Sequence, residues 1–274
     1  MAVPAPPMLT QRVDAPTAWK RIDFLSDLHL HAGDEPTFRA WRDYLQHTSA
    51  HAVFVLGDLF DVWIGDDILQ QPQASADDAR FARACIDVLR QTGTRLNLFF
   101  LCGNRDFLLG PACLAACAMQ GLDDPCVLQL GTTRWLLSHG DALCLEDVAY
   151  QQFRTLVRSP QWQSDFLRQP LAARQTTARG LRAQSEQHKR ANPRPSLVDA
   201  PAAIAWLHAA DARVLLHGHT HQPGEHVLAD GLQRIVLGDW DLQARPARAQ
   251  VLRLHRDATG QVLGWQRLQP GQAR

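Results

Sequence analysis

Five times along this chain an apolar run of strand length ends in a short cluster of Asp, Asn, His and Gly. The clusters are Asp27-Leu28-His29, Gly57-Asp58-Leu59-Phe60-Asp61, Gly103-Asn104-Arg105-Asp106, His139-Gly140-Asp141 and Gly218-His219-Thr220-His221. In α/β sheets, ligands collect at the carboxyl ends of strands, so the five clusters are expected to converge on one rim. Asp27 and His29, two apart, point the same way if the chain stays extended there.

The runs between the clusters set the fold class. Residues 21–26, 52–56, 96–101, 134–137, 213–216, 234–237, 250–254 and 262–268 read as strands, with 52–56 apolar throughout, as in a fully buried strand. Residues 36–48, 78–91 and 111–120 read as helices. Phe38, Trp41 and Leu45 share one face of the first, and Gly93 and Gly121 stand where the other two would stop. Strands alternating with helices predict an α/β architecture. The strand-only run late in the chain predicts a second, more antiparallel sheet.

Composition narrows the partners. Lys plus Arg and Asp plus Glu both number 28, so net charge does not point to nucleic acid. No apolar run approaches the ~20 residues that span a bilayer. Residues 1–19, rich in Pro and Ala, read as a disordered leader, and 20–274 as one domain. Six cysteines with no Cys-x-x-Cys pair read as buried free thiols.

Residues 147–200 break the rhythm. No strand is legible there, and between 150 and 200 nine Arg or Lys stand against three acids. With Trp162, Phe166, Leu167 and Leu171 beside those cations, the stretch reads as a basic helical insertion suited to an anionic ligand with apolar parts.

The clusters carry seven oxygen and nitrogen donors: Asp27, His29, Asp58, Asn104, His139, His219 and His221. That is too many for one tetrahedral zinc. It suits two divalent ions sharing a carboxylate, and the absence of cysteine among the donors favours a harder ion such as Mn²⁺. Two ions ~3.5–4 Å apart clamp the attacking and leaving oxygens of a displacement at phosphorus.

In order and type, the five clusters resemble the motifs of the calcineurin-like metallophosphoesterase superfamily. The resemblance implies two mixed sheets sandwiched by helices. It also implies that Asp27, His29 and His221 hold one metal, that Asn104, His139 and His219 hold the other, and that Asp58 bridges them. Asp61, Asp106 and Asp141 are then orienting carboxylates, and His31 and His217 are structural. Many superfamily members have His after the Asn of the third motif, where this chain has Arg105. Arginine stays protonated and cannot act as a general acid at neutral pH. It can neutralise charge on a phosphate oxygen, which suits a leaving group that needs no proton, such as a phosphate.

The longer strings around Asp58, Asn104 and His219 resemble the pyrophosphatases that cleave UDP-2,3-diacylglucosamine in lipid A biosynthesis. This implies two Mn²⁺ per chain, catalytic roles for Asp58, Asn104 and Arg105, and a helical cap at about 147–200 that holds the acyl chains. Implied substrate contacts are Asn104, Arg105, Asp147, Ser185 and His219. Where that family has Asn and then Lys in the cap, this chain has Lys189 and then Asn192. The resemblance further implies a peripheral protein on the cytoplasmic side of the bacterial inner membrane, with no nucleic acid and no obligate protein partner. Because all seven donors lie outside the cap, the cap is expected to be separable from metal binding.

Overall fold

The computed structural model describes residues 6–70, 77–191 and 197–274, the side chains of 183–191 excepted. In chain order the first half runs β1 (Arg12–Asp14), β2 (Arg21–Leu25), α1 (Glu35–His47), β3 (Ala52–Leu56), α2 (Asp77–Gly93), β4 (Asn97–Leu101), α3 (Pro111–Ala116), β5 (Met119–Leu122), β6 (Cys126–Leu130) and β7 (Thr133–Leu137). The rest comprises α4 (Val148–Val157), α5 (Pro160–Leu167), α6 (Leu171–Ala191), α7 (Ala200–Ala209), β8 (Val214–His217), β9 (Gly224–Ala229), β10 (Leu232–Val236), β11 (Val251–Arg256) and β12 (Val262–Leu268).

Two six-stranded mixed sheets result, ordered β12-β11-β2-β3-β4-β5 and β1-β6-β7-β8-β10-β9. Alternation along β3 explains their stacking. Ala52, Phe54 and Leu56 join the core between the sheets, while Val53 and Val55 face the helices. Register aligns Phe24, Phe54 and Phe99 across three parallel strands. Their rings stack, with centroids 5.4 Å and 4.4 Å apart. Trp41, Tyr44, Cys85 and Leu89 of α1 and α2 cover the outer face of the first sheet. Ala203, Trp206 and Leu207 of α7 cover the outer face of the second. The α/β class and the pair of mixed sheets match the sequence reading.

Four expectations are corrected. The leader is not wholly disordered: β1 pairs in parallel with β6, and Trp19 is buried edge-on against Phe54 and Phe99. The helix at 111–120 stops at Ala116. Ala118 turns left-handed (φ 54°), and Met119–Leu122 instead forms an edge strand beside β4. The late strands do not make a sheet of their own, because β11 and β12 complete the first sheet next to β2. Finally, β6 and β9 were not anticipated. β9 is largely exposed, so it carries no apolar pattern to read.

Candidate metal centre

Strands β2, β3 and β4 run in parallel, as do β7 and β8, and each delivers its cluster at its carboxyl end. Contrary to expectation, the chain does not stay extended past β2. Asp27 (φ 53°) and His29 (φ 47°) are both left-handed, as are Asp58 (54°), His219 (64°) and His221 (53°). Backbone bonds hold these turns: Asp27 N–H donates to Gly57 O at 3.1 Å, and His29 N–H to Asp58 O at 2.9 Å. Two glycines are required by close approach. A Cβ at Gly103 would collide with Asp58 Oδ1, and one at Gly218 with Ser26 Oγ and Asp27 Oδ2.

The structure brings all seven donors together. His221 Nε2 lies 3.2 Å and His29 Nε2 3.9 Å from Asp27 Oδ1, and the two imidazole nitrogens are 3.3 Å apart. Asp58 Oδ2 lies 3.9 Å from His29 Nε2 and 3.7 Å from His139 Nε2, so it stands between two groups of donors. On its far side, Asn104 Oδ1 is 3.0 Å from both His139 Nε2 and His219 Nδ1. Asp27 Oδ1 is buried and has no hydrogen-bond partner. A buried carboxylate oxygen without a donor, faced by two ring nitrogens, fits a divalent cation better than any protein partner in view.

Electrostatics agrees. Burial pushes the His29 and His219 imidazoles down to about 3, which keeps them neutral, the form that ligates metal. Burial pushes the Asp58 carboxyl up to about 7. Burial also opposes charge on His139, but the carboxylates of Asp58, Asp27 and Asp141 outweigh it and raise that imidazole to about 9. Asp27 is buried too, yet its neighbouring histidines hold it well below the usual carboxylate range. Without metal, protons must neutralise this carboxylate cluster, and divalent cations would replace them.

Of the three orienting carboxylates expected, Asp106 fits the role. It accepts from Gly103 N–H at 2.8 Å and Leu59 N–H at 2.7 Å, tying together the loops that carry Asp58 and Asn104. Asp61 and Asp141 instead bind the helices at 148–191. Asp61 pairs with Arg182, and Asp141 accepts from Tyr150 Oη and from Arg154 Nε, the latter at 2.9 Å. His217 donates through Nδ1 to Gly218 O at 2.8 Å, and His31 lines the cleft described next.

A cleft of about 1310 Å³ opens at the centre. Asn104, Arg105 and His219 line it, together with an aromatic wall that includes Trp63, Phe107, Trp162 and Phe166. Trp162 and Phe166 stack, with centroids 4.7 Å apart, and Phe107 meets Trp162 at a tilt, with centroids 6.2 Å apart. Two members of the expected patch lie elsewhere: Leu167 is 42% exposed, and Leu171 packs on the core beneath α1 and α2. Asp147 lines the cleft and also caps α4, accepting from Tyr150 N–H at 3.0 Å. Ser185 and Lys189 fall on α6, but their side chains lie outside the described residues, as does Asn192.

Of the six arginines of this insertion whose side chains are described, four are tied to the core. Arg154, Arg158, Arg174 and Arg182 bind acids or carbonyls of the core, and Arg174 is only 2% exposed. Guanidinium groups taken out of water need such partners. Arg168 pairs with Asp165 at the surface, and Arg179 lines the cleft.

Sequence reasoning missed three residues. Tyr150 lays its ring on His219, with centroids 6.0 Å apart. Arg158, just past α4, reaches Cys102 Sγ at 2.8 Å and Gly103 O at 2.9 Å. Asp239 lies 3.6 Å from His221 Nδ1. Only Asp239 left a signal, since Gly238-Asp239 follows an apolar run as the five clusters do.

The calcineurin-like phosphoesterase family matches residues 20–223. The chain is 40% identical over 243 residues to a UDP-2,3-diacylglucosamine hydrolase of Chromohalobacter salexigens, covering 85% of this chain and 93% of that protein. A protein of the same name from Chromobacterium violaceum is 42% identical, with 80% and 90% covered. One from Aromatoleum aromaticum is 43% identical, with 79% and 88% covered. Matching the family over most of its length and aligning with these relatives over about four fifths of it, the chain belongs to the calcineurin-like phosphoesterases, in the branch of the UDP-2,3-diacylglucosamine hydrolases.

Proposed function

We propose that this chain hydrolyses the pyrophosphate bond of UDP-2,3-diacylglucosamine, giving UMP and 2,3-diacylglucosamine 1-phosphate in lipid A biosynthesis. The observation that carries the reading is the cleft: polar groups of a dimetal-type centre and an aromatic wall line one continuous space. Its volume of about 1310 Å³ exceeds the ~300–1,000 Å³ of ordinary small-molecule sites, leaving room for a nucleotide and acyl chains together.

In this reading Asp27, His29 and His221 hold one divalent ion, Asn104, His139 and His219 the other, and Asp58 stands between them. We take the pair as Mn²⁺, on the oxygen and nitrogen donor set. When bound, the pair supplies Lewis acidity at the phosphoryl oxygens and makes a water more acidic. The water oxygen bonds to the α-phosphorus, and the bond from that phosphorus to the bridging oxygen breaks. The bridging oxygen leaves with the sugar phosphate. Arg105 neutralises charge on the phosphate oxygens and holds no transferable proton at neutral pH. Asp147 and His219, lining the cleft, contact the substrate, as do Ser185, Lys189 and Asn192 by resemblance.

We place the protein at the cytoplasmic surface of the inner membrane, where a diacylated substrate resides. The apolar side chains of Val62, Val148 and Leu197, each about half exposed, line the cleft and favour contact with a lipid surface. Among the described residues, no helix is long and apolar enough to cross a membrane. Hydrolysis in ¹⁸O-labelled water tests the reaction. Label in UMP supports attack at the α-phosphorus, and label only in the sugar phosphate refutes it. Cleavage of soluble phosphate esters with none of the diacylated substrate would move the protein to a soluble phosphoesterase.

A further inference from the structure

The segment Gly238-Asp239-Trp240, just past β10, supplies none of the seven donors, yet it touches two of them. Trp240 N–H donates to the Asp27 carbonyl at 2.9 Å, and its buried indole donates to Gln250 O at 3.0 Å. Asp239 presents Oδ2 to His221 Nδ1 at 3.6 Å, while the opposite nitrogen of that ring lies 3.2 Å from Asp27 Oδ1.

Asp239 is held firmly. It is 6% exposed, and Arg248 grips it with Nε at 3.0 Å from both oxygens and Nη2 at 2.9 Å from Oδ2. Arg248 is fixed in turn by paired backbone bonds with Asp241 of 2.8 Å and 2.9 Å. The arginine alone would satisfy a buried carboxylate, but it does not account for the histidine ring on the other side. His139 offers a contrast, since its Nδ1 donates to a neutral carbonyl, Leu56 O, at 2.9 Å. His221 instead faces an anion.

We propose that Asp239 is a positioning residue for His221. Its carboxylate draws the ring proton to Nδ1, fixes the tautomer, and leaves the Nε2 lone pair aimed at the point between Asp27 and His29. A carboxylate behind a ligating histidine also raises its basicity, and loss of such a partner typically weakens metal binding. The inference rests on the metal-pair reading of this centre and not on the identity of the substrate.

Titration of metal-free protein with Mn²⁺ by calorimetry, with elemental analysis after desalting, tests it. In Asp239→Asn, affinity at one of the two sites should fall by about 10–100-fold with the other unchanged. Loss of the Arg248 pair should lower the melting temperature of the metal-free protein in either case, so metal affinity decides: a purely structural role would spare it at both sites. Arg248→Ala keeps the carboxylate but frees it to rotate, and serves if Asp239→Asn fails to fold. A smaller fall at the same site is expected there. Wild-type affinity at both sites in Asp239→Asn, or in Arg248→Ala should that variant stand alone, overturns the proposal. A wild-type chain that binds fewer than two ions overturns the metal-pair reading and this inference with it.

Discussion

Arg158 and Gly103 are joined across the boundary between insertion and core. The guanidinium Nη2 donates to the Gly103 carbonyl at 2.9 Å, and the same group lies over the Phe107 ring, 5.1 Å from its centroid. One side chain at the C-terminal end of α4 therefore contacts the loop that carries Asn104 and Arg105 through a hydrogen bond and a ring face. The cap, expected to be separable from metal binding, thus reaches the loop that carries a donor. Arg158→Ala should weaken Mn²⁺ binding at one site by about tenfold or more, the scale for losing an outer partner of a metal ligand. Arg158→Lys should recover only part of this, because an ammonium lacks the planar fork. Calorimetric titration reads both, and wild-type affinity in Arg158→Ala would detach α4 from the centre.

Asp58→Ala should empty the centre. Its Oδ2 faces His29 and His139 within 4 Å, and its Oδ1 accepts Arg105 N–H at 2.8 Å. Removing it takes a donor from both groups and an anchor from the Arg105 backbone. Elemental analysis that still finds two ions per chain would refute the bridging role.

Arg105→Ala should lower kcat by about 10²–10³ with metal content intact, as expected when one stabiliser of developing charge is lost. Steady-state kinetics beside elemental analysis separates the two effects. An unchanged turnover number would remove Arg105 from the mechanism.

Ala178 of α6 lines the cleft and packs against the core cluster beneath α1 and α2. Ala178→Phe should fill space meant for acyl chain. Each methylene kept from burial forfeits ~0.8 kcal/mol, so excluding three or four would raise KM for the diacylated substrate by about 100-fold. Cleavage of a small activated phosphodiester should not change. Equal effects on both substrates would place the acyl chains elsewhere.

Asp141 is buried, which disfavours its charge, but Arg154, His139 and Arg158 hold it below the usual carboxylate range. A depressed folded value contributes stability above the unfolded value of ~3.9, and that stability drains as pH falls towards the folded one. In metal-free protein, Asp141→Asn should therefore melt lower than wild type at neutral pH, with the gap narrowing below about pH 4. A gap that stays constant through that range would mean the carboxylate is not ionised in the folded state.

The seven donors were legible because each sits where an apolar run stops, and both halves of that signal are local. The strand β6 was not read from the sequence although Cys126–Leu130 is nearly all apolar, because its run is short and no donor cluster marks its end. β1 was not, because three residues gain their structure only from a partner over a hundred residues away. The roles of the cap arginines were hidden for the same reason. A run of cations looks alike in sequence whether it faces solvent, as Arg168 does, or is sealed against Asp67, as Arg174 is. Register with the core decides which, and one chain read alone does not contain it.

Five of the seven donor residues, Asp27, His29, Asp58, His219 and His221, occupy left-handed backbone. Holding a residue other than glycine there costs roughly 1–2 kcal/mol. Five together oppose folding by about 5–10 kcal/mol, comparable to the net stability of a whole domain. Thermal robustness and the metal centre thus pull on the same positions in opposite directions. Glycine at any one of them would relax the backbone and delete a donor in a single step. Under selection for stability alone this rim would drift towards glycine, and the scaffold would outlast its chemistry.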